Sequence, residues 1–395
     1  MSSTSSFDHF PARAGQKLKG DRYQILRKLG SGLFSSTWLV SDAESEYLDI
    51  YTNKYRAVKI LTLEGTRAHR EGESRELMFL QQIAACEDIN SLPILEDSFE
   101  EQGPEGTHLC LVLELMSTDV SSFRRSSPTK ALPVHVVKII VQRTLEAVAQ
   151  LHELDIIHTD LKLDNILFNA ISGDPHVEEQ LNSESVIEDG QVEVKGEKYP
   201  ILRSQPIRHS TAWNVTPFMA EVMLFCLTDL GQAQRAGEQP TVDEFSAYAL
   251  RAPELLLRSD FGPKIDIWAL GCITFEMLTG RWLFAPEAGS DWSLEDDHLA
   301  KMVELTGEKF SAPMLQRAQF RYQYFDESGD LLREVVPDQS IEKALAVYGT
   351  MKDDDIGGAA TFIRACLRLD YKDRASAKEL EIHPWLLTST CNHYH

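Results

Sequence analysis

The chain has 395 residues, 43% of them hydrophobic and 25% charged, and a net charge of −22 at pH 7. That is enough apolar material for a sizeable core, arranged as two or three domains or as one large two-lobed one. The acidic balance argues against nucleic acid as a direct partner, because phosphate backbones are bound through Lys and Arg, and it suits a basic protein substrate.

The opening MSSTSSFDHFPARAG lacks the apolar core of a secretory signal, and residues 1–20 read as a flexible Ser-rich tail. No uncharged apolar run approaches the ~20 residues that span a bilayer. The six cysteines (Cys86, Cys110, Cys226, Cys272, Cys366 and Cys391) form no CxxC pair and show no metal spacing. Several lie in apolar runs and read as small core residues, and a reducing compartment fits. From Tyr23, YQILRKLG and STWLVSD are short strands around a glycine turn, and YRAVKILT is a third. ESRELMFLQQIAA predicts a helix with Leu77, Leu80 and Ile83 or Ala84 on one face, and LCLVLEL a further buried strand. Residues 21–116 thus predict a small β-rich lobe with one main helix.

Residues 117–387 predict a larger helical lobe. VVKIIVQRTLEAVAQLH carries one apolar stripe, while IDIWALGCITFEMLTG is apolar almost all round, as in a helix buried on every side. An insert of about residues 169–222 separates them. Eight acidic residues between Asp174 and Glu197 face only Lys195 and Lys198 there, and the stretch reads as a mobile acidic segment. Residues 388–395 read as a C-terminal tail.

Chemistry concentrates at four places. Gly30 and Gly32 lie between two strands, where glycine lets backbone N–H groups approach phosphates, although a third glycine would be expected where Ser35 stands. Lys59 sits in the middle of an apolar strand and must face an anion or reach solvent. Glu76 offers it a partner from the following helix, with Glu73, one turn earlier, as the rival. In IIHTDLKLDNILF, Asp160 can accept a proton from an attacking hydroxyl, Lys162 can neutralise a transferred phosphoryl group, and Asn165 can hold a metal ion. Asp229 in LFCLTDLGQA, after an apolar strand and before a glycine, can bind Mg²⁺ bridging phosphates. Phosphoryl transfer needs little beyond positioning and charge stabilisation, and this set supplies both.

In order and spacing these motifs resemble the eukaryotic protein-kinase family over roughly residues 23–387. AVK resembles the strand-three lysine motif, HTDLKLDN the catalytic loop, DLG the metal motif, APE at Ala252–Glu254 the close of the activation segment, and DIWALG the central buried helix. The resemblance implies the two-lobed α+β kinase fold, ATP and Mg²⁺ as cofactors, and serine/threonine transfer. It implies Asp160 as catalytic base with Lys162, Lys59 and Glu76, and Asn165 and Asp229 as metal ligands. It places Leu29, Gly30, Ser31, Gly32, Thr37 and Ala57 around the nucleotide. Glu114–Met116 becomes the hinge whose backbone meets adenine, with Leu113 as gatekeeper. Gly231, Ser246, Arg251 and Glu254 fall in the activation segment, with Arg374 as the partner of Glu254.

Threonine in HTDLK, leucine in DLG and the long insert resemble the SR-protein kinases of the CMGC group, in their shorter fungal form. That implies arginine-serine-rich splicing-factor substrates, a monomeric enzyme and residence in cytoplasm and nucleus. The loop APEAGSDWSLEDDHL would then dock substrate through Asp291, Glu295, Asp296 and Asp297, the alternative being a solvated acidic loop. Most family members carry arginine at the position of Thr159, where it grips a phosphorylated residue of the activation segment. Threonine there implies a segment ordered by its own packing. Ala247 stands where the family has a threonine bridging the catalytic aspartate and lysine, with Ser246 as a possible substitute, and Leu163 replaces a proline. A pseudokinase scaffold and a small-molecule phosphotransferase of related fold are the other readings; the first is opposed by the intact Lys59, Asp160, Asn165 and Asp229, the second by the APE segment.

Overall fold

A computed structural model describes residues 7–45, 54–169, 173–242, 245–335 and 339–387. The expected C-terminal tail and Cys391 lie outside the described residues. The chain forms two compact units: Met1–Thr118 with Leu167–Ser210 and Thr228–Gly231, and Asp119–Ile166 with Thr211–Leu227 and the rest of the chain from Gln232.

The first unit is built on six strands: β1 (Lys17–Leu18), β2 (Tyr23–Ser31), β3 (Ser35–Asp42), β4 (Tyr55–Leu61), β5 (Leu95–Gln102) and β6 (Thr107–Glu114). They form one sheet in the order β1-β2-β3-β4-β6-β5, with every adjacent pair antiparallel. The acidic β5, LEDSFEEQ, carries no clean apolar alternation. It lies at the sheet edge, where charge discourages further pairing.

Two helices accompany the sheet rather than one: α1 (Leu63–Arg70) and α2 (Glu76–Ala84). The first escapes a periodicity search because it is short and polar and contains Gly65. Its start is fixed by Thr62, whose hydroxyl accepts from the Gly65 N–H at 3.0 Å. Gly65 is required by packing: a Cβ there would stand 2.8 Å from the Phe34 carbonyl oxygen.

Two sequence expectations are corrected here. Residues 7–20 are not a free tail, since Phe10, Ala12 and Leu18 are buried in the same cluster as Tyr23, Ile25 and Trp38. The acidic insert is folded: it forms a helix, Gly173–Ser183, and an antiparallel hairpin of Glu188–Val194 with Glu197–Leu202. Some of its apolar residues go inward, while Ile187, Ile201, Phe218 and Val222 stay exposed. Val177 and Ile207 pack with Leu39, Tyr55, Ala57 and Leu115, and Leu202 joins the Tyr23 cluster. Glu179, Glu188 and Glu193 stay exposed. Arg27 of β2 is fully buried and donates to the carbonyls of Gln180 (3.3 Å) and Glu184 (2.9 Å), so a cation sits at the C-terminal end of the insert helix, where the helix dipole favours it.

The second unit is helical. Its long helices are α3 (Val134–Glu153), α4 (Lys264–Thr279), α5 (Leu294–Thr306) and α6 (Asp353–Cys366). Every residue of α4 after Lys264 is buried, as its almost wholly apolar run predicts. Gly271 lets α4 approach α6, because a Cβ there would lie 2.7 Å from that of Cys366. Glu254 and Arg374 form a fully buried bidentate pair at 2.8 and 3.0 Å. Among the described residues Cys86, Cys110, Cys226, Cys272 and Cys366 form no disulfide. Among the described residues no helix is long and apolar enough to cross a membrane.

Candidate active site

In the first unit, β2 and β3 are joined by the glycine turn, with Gly30 opposite Thr37 and the Gly32 N–H donating to the Ser35 carbonyl at 2.9 Å. A Cβ at Gly30 or Gly32 would meet nothing within 4 Å, so open space lies over both. Ser35, where a third glycine was expected, opens β3 instead. Leu29 borders the cluster that contains Ala57 and Leu115, and Ser31 ends β2 exposed. Leu113 pairs with Ala57 across β4 and β6. The Glu114 N–H already donates to the Ile94 carbonyl at 3.3 Å. Burial lifts the Glu114 carboxyl, Glu96 adds to the rise, and Arg56 opposes it. Met116 begins the short strand Met116–Asp119.

Lys59 points from β4 to two carboxylates, Glu76 Oε1 at 2.6 Å and Asp229 Oδ1 at 2.8 Å. Burial alone would lower its ammonium; Asp229 and Glu76 outweigh that and raise it above the ordinary lysine value, so it is a cation at every physiological pH. The choice between Glu76 and Glu73 is made by helix geometry. Glu76 opens α2 on the face that buries Phe79, Leu80 and Ile83, whereas Glu73 lies before the helix and takes Arg67 at 3.1 Å. Asp229 has φ +67°, a strained conformation for a non-glycine residue. A Cβ at Gly231 would stand 3.2 Å from Asp229 Oδ1 and 3.6 Å from Glu76 Oε2, so glycine keeps that space clear.

In the second unit, Asp160 Oδ2 accepts from Lys162 Nζ at 2.5 Å and from the Asn165 amide at 3.2 Å, and the same amide donates to the Asp160 carbonyl at 2.9 Å. The Asp160–Lys162 contact is direct. Ser246 does not stand in for the bridging threonine: its hydroxyl donates to the Thr159 carbonyl, while Ala247 caps the 3-10 turn Tyr248–Leu250. Arg251 folds back, its Nε donating to the Ser246 carbonyl at 3.4 Å and its guanidinium lying over the Tyr248 ring.

One contributor lies in the DIWALG motif, which in the sequence marks only the central buried helix. The buried Asp266 of α4 accepts the N–H groups of His158 at 2.9 Å and Thr159 at 2.8 Å, together with His152 Nε2 at 2.9 Å. The available signal was an aspartate inside an otherwise apolar helix. Thr159 needs this grip, because it is β-branched and held at φ +67°. Its hydroxyl donates to the Gln232 carbonyl at 2.8 Å, tying the catalytic loop to the start of the activation segment without a phosphate.

The expected docking acids do not form an available set. Asp297 is buried and already accepts from Lys301 at 2.6 Å, the Glu287 N–H at 2.8 Å, and Arg333. Asp296 is spent on a capping box with Ser293, receiving its N–H at 2.9 Å and its hydroxyl at 2.8 Å. Asp291 is exposed and accepts from Ser290, and Glu295 lines a cavity with Phe245, Arg251 and Tyr324.

A buried lysine–glutamate pair beside a metal-motif aspartate, with an Asp–Lys–Asn loop held by an aspartate of the central helix, defines a phosphotransferase of the protein-kinase class. The protein kinase domain family model matches residues 23–177 and 218–386, and the chain belongs to that family. Its curated relatives include the serine/threonine-protein kinase SRPK of Physarum polycephalum, 26% identical over 96% of this chain and 88% of the relative. SRSF protein kinase 3 of Mus musculus is 23% identical, again over 96% and 88%. The chain is thus a serine/threonine protein kinase of the SR-protein-kinase-like type, an ATP- and divalent-metal-using class. A crystal structure of a kinase domain shares the fold with a TM-score of 0.66 at 22% identity, covering 96% of this chain and 98% of that one.

Proposed function

We propose that the protein transfers the γ-phosphate of Mg²⁺–ATP to serine hydroxyls in arginine-serine-rich protein segments, acting as a monomer in cytoplasm and nucleus. The observation that carries the reading is the Lys59–Glu76–Asp229 cluster, a mostly buried cation fixed between the buried Glu76 and the half-exposed Asp229. Lys59, oriented by Glu76, draws the α- and β-phosphates of the nucleotide. Asp229 and Asn165 offer the hard oxygen donors that suit Mg²⁺, which when bound neutralises charge between the phosphates. Asp160 orients the substrate hydroxyl and takes its proton, and Lys162 at 2.5 Å balances the charge that develops on the phosphoryl oxygens.

The substrate class is supported by the likeness to the mouse SRSF protein kinase 3 and by the net charge of −22. Thr159, bound to the Gln232 carbonyl, supports activity that does not depend on loop phosphorylation. The deciding experiment is incubation with labelled ATP, Mg²⁺ and an arginine-serine peptide. Asp229→Ala should abolish transfer with the fold intact. Mg²⁺–ATP at a hundredfold excess over its dissociation constant should stabilise the wild type by about 2.7 kcal/mol. Binding without transfer would identify a nucleotide-holding scaffold instead.

A further inference from the structure

Two stretches of the first unit fall outside the kinase family match, residues 7–22 and 178–210. They meet each other, and both meet the glycine hairpin. The His9 ring Nε2–H donates to the Gly32 carbonyl at 3.1 Å. Beside it, the Asp8 carbonyl accepts the Leu63 N–H at 3.0 Å and the Asp8 carboxylate accepts the Glu64 N–H at 3.2 Å, which ties residues 8 and 9 to the start of α1. The Thr62 N–H, at that same helix start, donates to the Phe34 carbonyl at the hairpin tip at 2.9 Å. Arg13 donates to the Lys198 carbonyl at 2.9 Å, and its guanidinium lies 4.2 Å over the Tyr199 ring of the insert hairpin. From the insert, the Gln205 N–H donates to the Lys28 carbonyl at 2.8 Å, at the base of the same hairpin.

The hairpin tip has little packing of its own. Leu33 is 77% exposed and Phe34 44%, and open space surrounds Gly30 and Gly32. A loop of that kind loses freedom when it closes on a ligand, and external hydrogen bonds that order it beforehand lower that cost. We propose that residues 7–13, braced by the insert hairpin, form a strap that holds the glycine hairpin in the position from which its backbone meets the nucleotide phosphates, with His9 as a positioning residue. The proposal rests on the kinase reading above. It assigns to segments outside the family's core a control over nucleotide affinity, acting through a single side chain on the Gly32 carbonyl.

The test is calorimetric titration with a non-hydrolysable ATP analogue and Mg²⁺, beside steady-state kinetics on a peptide. His9→Phe keeps an aromatic ring and removes the N–H donor. It should weaken the analogue roughly three- to ten-fold, the equilibrium worth of one ordinary hydrogen bond, and raise KM for ATP in step. kcat at saturating ATP and the melting temperature of the free protein should hardly move, which separates positioning from loss of fold. His9→Gln restores a side-chain N–H and should recover most of the affinity. Arg13→Ala, which loosens the strap at its other end, should shift affinity in the same direction by less. Equal affinities in the wild type, His9→Phe and Arg13→Ala overturn the strap, and a His9→Phe loss that His9→Gln fails to repair overturns the hydrogen bond as its cause. A wild type that binds no nucleotide overturns the kinase reading itself, and the strap with it.

Discussion

Residues 174–197 and 287–297 look alike in sequence, each a run of carboxylates with few cations, yet their carboxylates meet different surroundings. In the insert Glu179, Glu188, Glu193 and Glu197 face water, Glu184 turning to Arg27 and Arg208, while Val177, Val194 and Leu202 go into the first unit. In the second run Glu287 and Asp291 stay exposed, but the acids of the first turn of α5 are engaged: Asp296 closes a capping box, and Asp297 is enclosed by Lys301, Arg333 and the Glu287 N–H. A count of charges therefore says nothing about what a carboxylate faces. What decides is whether cations and N–H donors from elsewhere in the fold converge on it to offset the cost of burial.

The comparison can be broken at its strongest point, the buried cation that anchors the insert. Arg27→Ala removes the donor to the Gln180 and Glu184 carbonyls from a fully buried position. It should destabilise the protein by about 3 kcal/mol, through lost packing and the lost hydrogen bonds to the two carbonyls, of which that of Gln180 keeps the Glu184 N–H, read as a lower denaturant midpoint. An insert that only covered the surface would tolerate the change.

Asp297→Asn comes next. Burial pushes the Asp297 carboxyl up, but Lys301, the Glu287 N–H and Arg333 outweigh it and hold the group below the usual carboxylate range. A depressed carboxyl contributes stability that is present above its unfolded pKa of about 4 and is lost as pH falls through the folded value. The variant should lose about 2 kcal/mol at pH 7, less than the roughly 3–5 kcal/mol of breaking a fully buried pair, because Lys301 and Arg333 reach water. The deficit should shrink as the pH is taken below about 4. A deficit that persists unchanged in acid would mean that packing, not charge, holds Asp297.

Asp296→Asn removes the carboxylate that receives the Ser293 N–H and should cost about 1 kcal/mol, the usual worth of an N-terminal cap. The smallest effect sharpens the contrast from the other side. Neutralising the exposed Glu188 and Glu193 together should change stability by no more than about 0.5 kcal/mol in thermal unfolding. A large loss there would show that the insert acids are not mere solvated surface.

Much of the site was legible in the chain itself. Lys59 in an apolar strand, the Asp160–Lys162–Asn165 spacing and Asp229 before a glycine each lie within one short segment; phosphoryl transfer calls for those residue types, and their order resembles that of the kinase family. The buried central helix α4 was legible for a similar reason, because its apolar run is local. Other features needed the fold. Glu76 prevails over Glu73 because the start of α2 turns it inward and Arg67 occupies its rival. The cation that secures the insert helix, Arg27, comes from a strand about 150 residues earlier, and Asp297 is closed by Arg333 from beyond α5. Residues 7–13 are ordered through Gly32, α1 and the insert hairpin, partners that no local pattern announces. Local segments thus determined which groups this kinase has for its chemistry, whereas contacts between segments distant in the chain decided which carboxylates are buried and paired, because the cost of a buried charge depends on neighbours that only folding supplies.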